Sequence, residues 1–558
     1  MLPNVPPSPA ALQGGYRLTR FLFLRLLGLI YCVAFLVLAQ QLRPLIGADG
    51  LLPVHDFLYS GGAEGGRLSA FAELPTIFWF NDSDAFMVAL SYVGLGGALL
   101  VLAGFANALL LAALWFLYLS FYHVGQLFWG YGWELLLLET GFLAIFLCPL
   151  LDGRPFPATA PPRVVIWLLR WVLFRVMFGA GLIKLRGDPC WRDLTCMFYH
   201  YETQPLPNPL SWYLHQLPPA VHQFEVLFNH FVELIVPWTL FAPRRMRHVG
   251  GIFLVAFQVL LIISGNLSWL NWLTITLCIA CFDDQALSHV VPRRLLAKAS
   301  ETLRQACPEH RRRAQGERKR VGSTGRGTAH AEPVEAWGGV FQPARRLLAR
   351  LSRRDTASPS PLHALAAYAC AALVVYLSVA PTMNLLGARQ IMNGSFDRLH
   401  LVNTYGAFGG VGKHRQEIVL EGTSDTSITA ATHWRAYEFK CKPGDVDRRP
   451  CVVAPYQYRL DWQIWFAAMS TYQHQPWLVH FAAKLLQGDA GALSLLANNP
   501  FPNEPPHFIR AELYEYAFTR FGDTSGAWWT RQRVGPYLPP ISLDNRGLRT
   551  FLRNYGWE

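Results

Sequence analysis

The sequence predicts a polytopic α-helical membrane protein of about nine transmembrane helices, followed by a C-terminal extracytoplasmic α+β domain. The 558-residue chain is 52% hydrophobic and only 15% charged, with a mean hydropathy of +0.21. A water-soluble protein of this size is not expected to be so apolar. Apolar runs close to the length of about 20 residues that crosses a bilayer recur before Met383. After Met383, short β-branched and aromatic runs alternate with turn residues, as in a compact soluble domain.

Nine apolar segments are candidates for the transmembrane helices, the eighth of them short. They are 21–42, 85–103, 105–124, 131–150, 163–185, 221–241, 247–264, 268–282 and 362–382. Cytoplasmic loops of membrane proteins carry an excess of Arg and Lys. With residues 1–20 in the cytoplasm the Arg-rich loops fall on that side, and nine helices place the C-terminal domain on the other. We therefore expect an integral protein of a bacterial inner membrane, or of the endoplasmic reticulum in a eukaryote, with this domain in the periplasm or lumen.

The basic residues cluster in one stretch, which decides how the net charge of +12 is interpreted. Of the 49 Lys and Arg, 16 lie between Arg293 and Arg354, among Gly, Ser and Ala. This composition predicts a disordered cytoplasmic linker, so that we expect membrane lipids and no nucleic acid as partners. The predicted order is a cytoplasmic N-terminus (1–20), helices one to eight with an outer loop at 186–220 (21–290), the linker (291–361), helix nine (362–382) and a soluble domain (383–558).

The soluble domain is predicted to be a small β-sheet followed by helices. Three runs of β-branched and aromatic residues predict strands, at 415–422, 433–441 and 452–462. Helical patterns follow at 476–487, 491–497 and 509–518. About 170 residues are enough for such a domain to have its own core.

The outer loop at 186–220, with its flanks Lys184 and His222, has a composition that no spanning helix tolerates. This stretch contains two Cys, three His, three acidic residues, two Trp and six Pro. A flexible linker would be rich in Gly and Ser, whereas here aromatic residues are available to pack the loop down. We predict an ordered lid at the membrane surface and call residues 186–220 the lid.

The four cysteines predicted outside the membrane form two close pairs. Cys441 and Cys451 flank a Lys-Pro-Gly-Asp turn, which suits a hairpin disulfide. Cys190 and Cys196 lie beside three basic residues that could lower a thiol pKa. A structural bridge, a redox-active pair and free thiols all stay open for this second pair.

Ionisable residues in spanning helices are costly, and each is a functional-site candidate. Four polar residues of the sixth segment, His222, Glu225, Asn229 and Glu233, fall on one helical face. Opposite charges on neighbouring helices suggest pairs such as Arg170 or Arg175 with Glu233 or Glu139. We predict a hydrated cavity beneath the lid, or simply ion pairs that hold the helices in register. The candidate residues for chemistry are Lys184, His222, Glu225, Glu134, His123, Cys190 and Cys196.

Motifs of soluble enzymes are not found in the sequence. It contains no phosphate-binding Gly loop, no nucleophile elbow and no HExxH metal motif. The spacing of Cys190, Cys196, His200 and His215 matches no zinc pattern. We therefore expect no metal and no cofactor, and an enzyme is the less favoured class.

Five long motifs resemble the lipase maturation factor family. They are GDPCWRDLTCMFYHYETQPLPNPLSWYLH (187–215), RAYEFKCKPGDVDRRPC (435–451), PYQYRLDWQIWFAAM (455–469), NPFPNEPPHFIRAELYEYAF (499–518) and WWTRQRVGPYLPP (528–540). The family is known from membrane proteins of the endoplasmic reticulum that help secreted homodimeric lipases to fold and assemble. The resemblance implies a chaperone-like maturation factor, whose partner is a secreted client protein such as a lipase. Exposed aromatics of the soluble domain, Trp434, Trp465, Trp528 and Trp529, would be candidates for client binding.

The alternative is a membrane enzyme of gamma-carboxylase-like fold with an outer-leaflet active site. A remote resemblance of fold to the vitamin K-dependent gamma-carboxylase suggests it, without matching motifs. Such an enzyme would be a quinone- or lipid-linked thiol oxidoreductase using Cys190 and Cys196, or a modifying enzyme using Lys184 as its base. This alternative requires a bound lipid or quinone beneath the lid.

Overall fold

The computed structural model of the chain describes residues 15–60, 66–157, 159–292 and 359–557. Nearly all of the predicted basic linker, 291–361, lies outside these ranges. The first part of the chain is helical. Its α-helices are α1 (Arg17–Ile46), α2 (Val54–Tyr59), α3 (Arg67–Glu73), α4 (Asp84–Ala103), α5 (Ala108–Val124), α6 (Gln126–Trp129), α7 (Gly132–Ile145), α8 (Arg163–Arg186), α9 (Pro189–Arg192), α10 (Met197–Thr203), α11 (Pro209–His215), α12 (Pro219–His230), α13 (Arg244–Ser264), α14 (Leu270–Cys278) and α15 (Asp284–Leu287). After the linker follow α16 (Pro361–Leu377) and α17 (Val379–Leu386).

Six helical segments within the described residues are long and apolar enough to cross a membrane. They are Arg17–Ile46, Asp84–Ala103, Arg163–Arg186, Pro219–Phe241, Arg244–Ser264 and Pro361–Leu386. The predicted number of nine is not confirmed, because the third, fourth and eighth predicted segments form shorter helices. α7, for example, has 14 residues, or about 21 Å at 1.5 Å per residue, against a hydrocarbon core of about 30 Å.

The sixth segment is not a regular α-helix throughout. α12 continues into a π-helical turn at Phe231–Ile235 and then a 3₁₀ turn at Val236–Phe241. Pro237 explains the change, because it has no N–H to donate to the carbonyl of Glu233 in an α-helical ladder. The π turn contains Glu233, a buried residue of the candidate site described below.

The C-terminal part contains a four-stranded antiparallel sheet in the order β2-β1-β3-β4. Its strands and helices are β1 (Arg415–Thr423), β2 (Arg435–Ala436), α18 (Arg459–Ala468), α19 (Pro476–Leu486), α20 (Ala490–Ser494), β3 (Phe508–Phe518), β4 (Trp529–Ile541) and α21 (Arg546–Tyr555). The helices α18 to α20 thus lie between β2 and β3 in the chain, and only α21 follows the sheet. A small sheet was expected, but "sheet followed by helices" describes the order incompletely.

Three secondary-structure predictions in this part are wrong or partly wrong. Residues 509–518 were expected to be helical and form β3, which pairs with β1 on one side and β4 on the other. The ladder on both edges overrides the helical propensity of its Ala, Glu and Leu residues. Of the strand expected at 433–441, Arg435 and Ala436 pair with β1 and Phe439 forms an isolated bridge with Leu496. Residues 452–462 are a loop that runs into α18.

The C-terminal part packs directly onto the helices of the first part. One continuous apolar core extends from α1, α7 and α8 to β1, α18 and α19. The segment 401–405 lies against α7 and α8, where Glu139 accepts hydrogen bonds from the Asn403 backbone N–H (3.0 Å) and from the Tyr405 hydroxyl (2.6 Å). Glu139 also pairs with Arg175, as suspected from the sequence.

A second polar contact joins α18 to the helices. Arg459 donates to a carboxylate oxygen of Glu134 on α7 at 2.5 Å, and both side chains are fully buried. The guanidinium also lies over the rings of Trp129 and Trp269. Gln41 of α1 accepts a hydrogen bond from the backbone N–H of Arg459 at 2.9 Å. The two halves of the chain therefore share buried charges as well as apolar core.

Candidate functional site

A cavity of about 680 Å³ lies beneath the lid, where the two halves of the chain meet. Its walls come from α8, α12, α13 and α14, and its roof from the lid and residues 405–410. Trp462, Trp465 and Phe466 of α18 line it on the side of the C-terminal part. The surfaces are mostly aromatic and aliphatic, with a few polar groups, which is the composition of a small-molecule site.

Lys184 lies in this cavity as half of a buried ion pair. Its ammonium nitrogen is 2.6 Å and 2.7 Å from the two carboxylate oxygens of Glu233 and donates to the Asn229 side-chain oxygen at 3.0 Å. Each charged side chain is 5% exposed. The indole of Trp191 is 5.0 Å from the ammonium. Because the Lys184 ammonium is paired with Glu233 and hydrogen-bonded to Asn229, it is arranged as a structural cation rather than as a free base.

Glu225 lies on α12, one turn before Asn229, and also lines the cavity. Its carboxylate is 2.8 Å from His222 Nδ1 and accepts a hydrogen bond from the Tyr201 hydroxyl of the lid at 2.9 Å. The face of α12 predicted from the sequence therefore exists, and it carries two adjacent polar clusters. One of these clusters connects α12 to α8, and the other connects α12 to the lid.

His123 and Glu134 do not belong to the cavity. His123 contacts the backbone carbonyl oxygens of Pro75 (3.2 Å) and Arg398 (3.1 Å). Glu134 pairs with Arg459, as described above. Of the residues singled out in the sequence, the structure thus brings together Lys184, Glu225 and His222, and it places His123 and Glu134 in contacts between the two halves of the chain.

Both predicted disulfides are present, Cys190 with Cys196 and Cys441 with Cys451. The first is enclosed in a small apolar cluster with Trp191 of the lid, Val226 of α12 and Val411 of the C-terminal part. Cys190 is 4% exposed and Cys196 is fully buried. A bond in this environment is arranged as a structural link, because thiol–disulfide exchange needs an accessible sulfur.

We therefore expect the Cys190–Cys196 bond to resist reduction in the folded protein. Native protein treated with a mild thiol reductant and an alkylating mass tag should stay unmodified at both positions. The same treatment after denaturation should modify both cysteines. Rapid labelling of either cysteine in the native protein, at the rate seen for the denatured chain, would instead identify a redox-active pair.

The four candidate tryptophans of the C-terminal part differ in their surroundings. Trp529 is buried, stacked on Phe518 and covered by Arg415. Trp434, Trp465 and Trp528 are partly exposed. Trp465 lines the cavity, whereas Trp434 lies under the guanidinium of Arg510.

The sequence did not indicate that the cavity depends on the C-terminal part. Residues 405–410 and α18 provide much of its roof, although they follow the lid by about 200 residues of sequence. Two signals could have pointed there. The Gly-rich run at 406–412 permits close backbone approach, and Gly409 contacts Ile183 and Gly187 of the α8 end. The cluster Trp462, Trp465 and Phe466 is unusually aromatic for a short helix of a soluble domain.

His200 of α10 is a neutral group in the lid that should respond to acid. Burial, and secondarily the charge of Lys184, lowers the pKa of His200 from 6.5 to about 4. The unfolded chain binds a proton below about pH 6.5 and the folded chain does so only near pH 4, so stability is lost as the pH falls through this window. At about pH 5.5 the loss should be about 1.4 kcal/mol for this histidine.

This pH effect can be measured as a melting temperature in detergent at about pH 7.5 and about pH 5.5. The wild-type protein should lose more on acidification than His200→Gln, because the variant has no imidazole to protonate. The difference between the two proteins isolates His200 from other titrating groups. Equal losses in both would contradict the expected role of His200.

Both halves of the chain match families of known proteins. Residues 18–289 match the family described as the lipase maturation factor transmembrane domain, and residues 401–539 match the lipase maturation factor C-terminal domain. The chain is 46% identical to Lipase maturation factor 1 of Bos taurus, over 100% of this chain and 96% of the relative. Identity to Lipase maturation factor 1 of Homo sapiens is 44%, over 99% and 92% of the two chains.

A second group of relatives is less similar but equally extensive. The chain is 35% identical to Lipase maturation factor 2 of Homo sapiens, over 98% of this chain and 86% of the relative. No solved structure matches the chain. With both matched domains in the predicted order and identities well above 30% along the whole length, the chain belongs to the lipase maturation factor family.

Proposed function

We propose that this membrane maturation factor assists the folding and assembly of secreted lipases. The observation that carries the proposal is the similarity to proteins named lipase maturation factor, which extends through the helical part, the lid and the C-terminal part alike. We further propose that the C-terminal part lies on the side of the membrane where clients fold, the periplasm or the lumen. Its partly exposed Trp434 and Trp528 are candidates for contact with a client, whereas the buried Trp529 serves the core.

The enzyme alternative is not favoured. It required Lys184 as an accessible base or Cys190 and Cys196 as an exchanging pair, and these groups are held in an ion pair and in an enclosed disulfide. A buried pair also changes how mutations at Lys184 must be interpreted. Lys184→Ala leaves the Glu233 charge buried without its cation, and should lower stability by about 3–5 kcal/mol whatever the function is.

A double substitution separates structure from chemistry. Lys184→Met with Glu233→Met removes both charges and keeps apolar volume, a replacement that is often neutral or stabilising. The variants should be co-expressed with a homodimeric secreted lipase in cells that lack their own maturation factor, and secreted lipase activity measured per folded variant. The single Lys184→Met variant controls for the unpaired charge, and Arg549→Met, at an exposed pair with Asp544, controls for substitution itself.

For a maturation factor we expect the double variant to support secretion within about twofold of the wild type. The proposal would fail if the double variant accumulated as folded protein and yet released no active lipase. That result would assign Lys184 a chemical role. Secretion of active lipase at the full level without any maturation factor would show that this client does not depend on the family.

A further inference from the structure

The cavity beneath the lid opens sideways between two helices that are long and apolar enough to span the membrane. Phe224 of α12, and Leu260 and Ile263 of α13, line it and are nevertheless 63%, 47% and 43% exposed. Large apolar side chains exposed on spanning helices face lipid. The entrance is therefore at the depth of the hydrocarbon chains, close to the lid end of the helices.

The volume of the cavity and the side chains of its walls indicate what kind of molecule fills it. A space of about 680 Å³ lies within the range of roughly 300–1,000 Å³ found for pockets that hold small molecules and cofactors. Leaving it empty would forfeit the contacts of its lining side chains. Water is disfavoured because most of the wall is aromatic or aliphatic. Hydrocarbon from the adjacent bilayer would make the apolar contacts that an empty cavity lacks, and it would not place water against apolar walls.

The charges of the cavity select the polar end of such a molecule. The charged residues that line it are Lys184, Glu233 and Glu225, one cation and two carboxylates. Lys184 is bonded to Glu233, and Glu225 to His222 and Tyr201. Among the lining residues that the structure describes, no cation is therefore left for a phosphate or carboxylate head, and Glu225 would repel one.

Uncharged groups for hydrogen bonding also line the cavity. Asn271 of α14 donates to the Gln258 side-chain oxygen of α13 at 2.8 Å. His200 is 8% exposed, and its Nδ1 has no hydrogen-bond partner within the described parts of the chain. Groups of this kind can bind a hydroxyl or a carbonyl oxygen.

We propose that this cavity is a binding site for an uncharged membrane lipid, which enters between α12 and α13, buries one hydrocarbon chain or ring system among the aromatic residues and hydrogen-bonds through a neutral head. The site does not depend on the identity of the client. It would make the lid and the C-terminal part, which form the roof, responsive to the lipid beneath them.

The test uses the full chain in phosphatidylcholine vesicles and two probes with the same photoactivatable, alkyne-tagged chain, hexadecanol and hexadecanoate. Cross-linked peptides are identified by mass spectrometry. We expect hexadecanol to label peptides of α8, α12, α13 or residues 405–410, at least about tenfold more than the anion does, and excess unlabelled hexadecanol to compete. Equal labelling by both probes would overturn the preference for a neutral head.

Two pairs of variants test the position of the site. Ala180→Phe and Leu261→Trp add volume to the cavity wall, and each should reduce labelling by about tenfold or more. Ala369→Phe on the exposed face of α16, and Ile252→Trp at a lipid-facing position of α13, are matched controls that should label like the wild type. Variants are compared only after elution as a single folded species, and the two cavity positions lie on different helices in case one misfolds. Unchanged labelling in a folded cavity variant, or cross-links confined to other helices, would overturn the proposal.

Discussion

Truncation after Met383 is expected to unfold the helical part of the protein rather than to leave it intact without a client-binding domain. The removed residues include Arg459, the buried partner of Glu134, and Asn403 and Tyr405, which hydrogen-bond Glu139. Removing one partner of a buried ion pair costs about 3–5 kcal/mol. This is a large fraction of a typical total stability of about 5–15 kcal/mol, before the lost apolar core is counted.

The measurement is size-exclusion chromatography and limited proteolysis of the truncated chain in detergent. We expect aggregation and rapid cleavage within α5 to α8. As a matched control, a protease site placed in residues 293–358 allows the chain to be cut without removing any described contact, and the two fragments should stay together and folded. A truncated chain that eluted as a single species and resisted protease like the full chain would contradict this expectation.

Breaking the buried Glu134–Arg459 pair with a single substitution should destabilise the protein about as much as Lys184→Ala does. Both side chains are fully buried, and the guanidinium also lies over Trp129 and Trp269. Arg459→Met leaves the carboxylate hydrogen-bonded to the Tyr118 hydroxyl but without its guanidinium partner. We expect a loss of about 3–5 kcal/mol for this variant, measured as resistance to denaturant in detergent.

A double-mutant cycle supplies the control for this pair. Glu134→Gln combined with Arg459→Met removes both charges, and should cost clearly less than the sum of the two single substitutions. Arg549→Met on α21 breaks a pair with Asp544 whose two side chains are 53% and 98% exposed, and should change stability by about 0–1 kcal/mol. Additive effects in the buried pair would show that the two residues do not stabilise each other.

The sequence predicted those features that depend on local pattern or on simple pairing of charges. Apolar length located the six segments that are long and apolar enough to cross a membrane, although it also predicted three more. Close spacing identified both cysteine pairs, and for Cys190 and Cys196 it left a structural bridge, a redox-active pair and free thiols open. Helical periodicity put His222, Glu225, Asn229 and Glu233 on one face of the sixth segment, which α12 and the following π turn form. The suspected pair of Arg175 with Glu139 is also present.

Features that depend on contacts distant in sequence were not predictable in this way. The residues of β3 have helical propensity and become a strand only because β1 and β4 pair with both of its edges. The sequence pattern did not fix the partner of Lys184, and the buried ion pair with Glu233 argues against the predicted role of Lys184 as a base. Residues 405–410 and α18 complete the cavity, although they belong to a part of the chain that was expected to be a separate domain. The sequence could not predict this contact, because burial against the other half of the protein leaves no periodic pattern of apolar residues.

The contacts of Glu134 and Glu139 with the C-terminal part also have a consequence for biosynthesis. Their partners Arg459 and Asn403 lie 325 and 264 residues further along the chain. At roughly 5–20 residues per second, a ribosome needs about 15–65 s to reach them. During that interval the newly inserted helices carry Glu134 without its cation Arg459, and Glu139 with Arg175 but without its donors Asn403 and Tyr405. A protein that assists the maturation of others is thus itself incomplete in the membrane until its own synthesis is nearly over, and this nascent form is the one we expect quality control to bind.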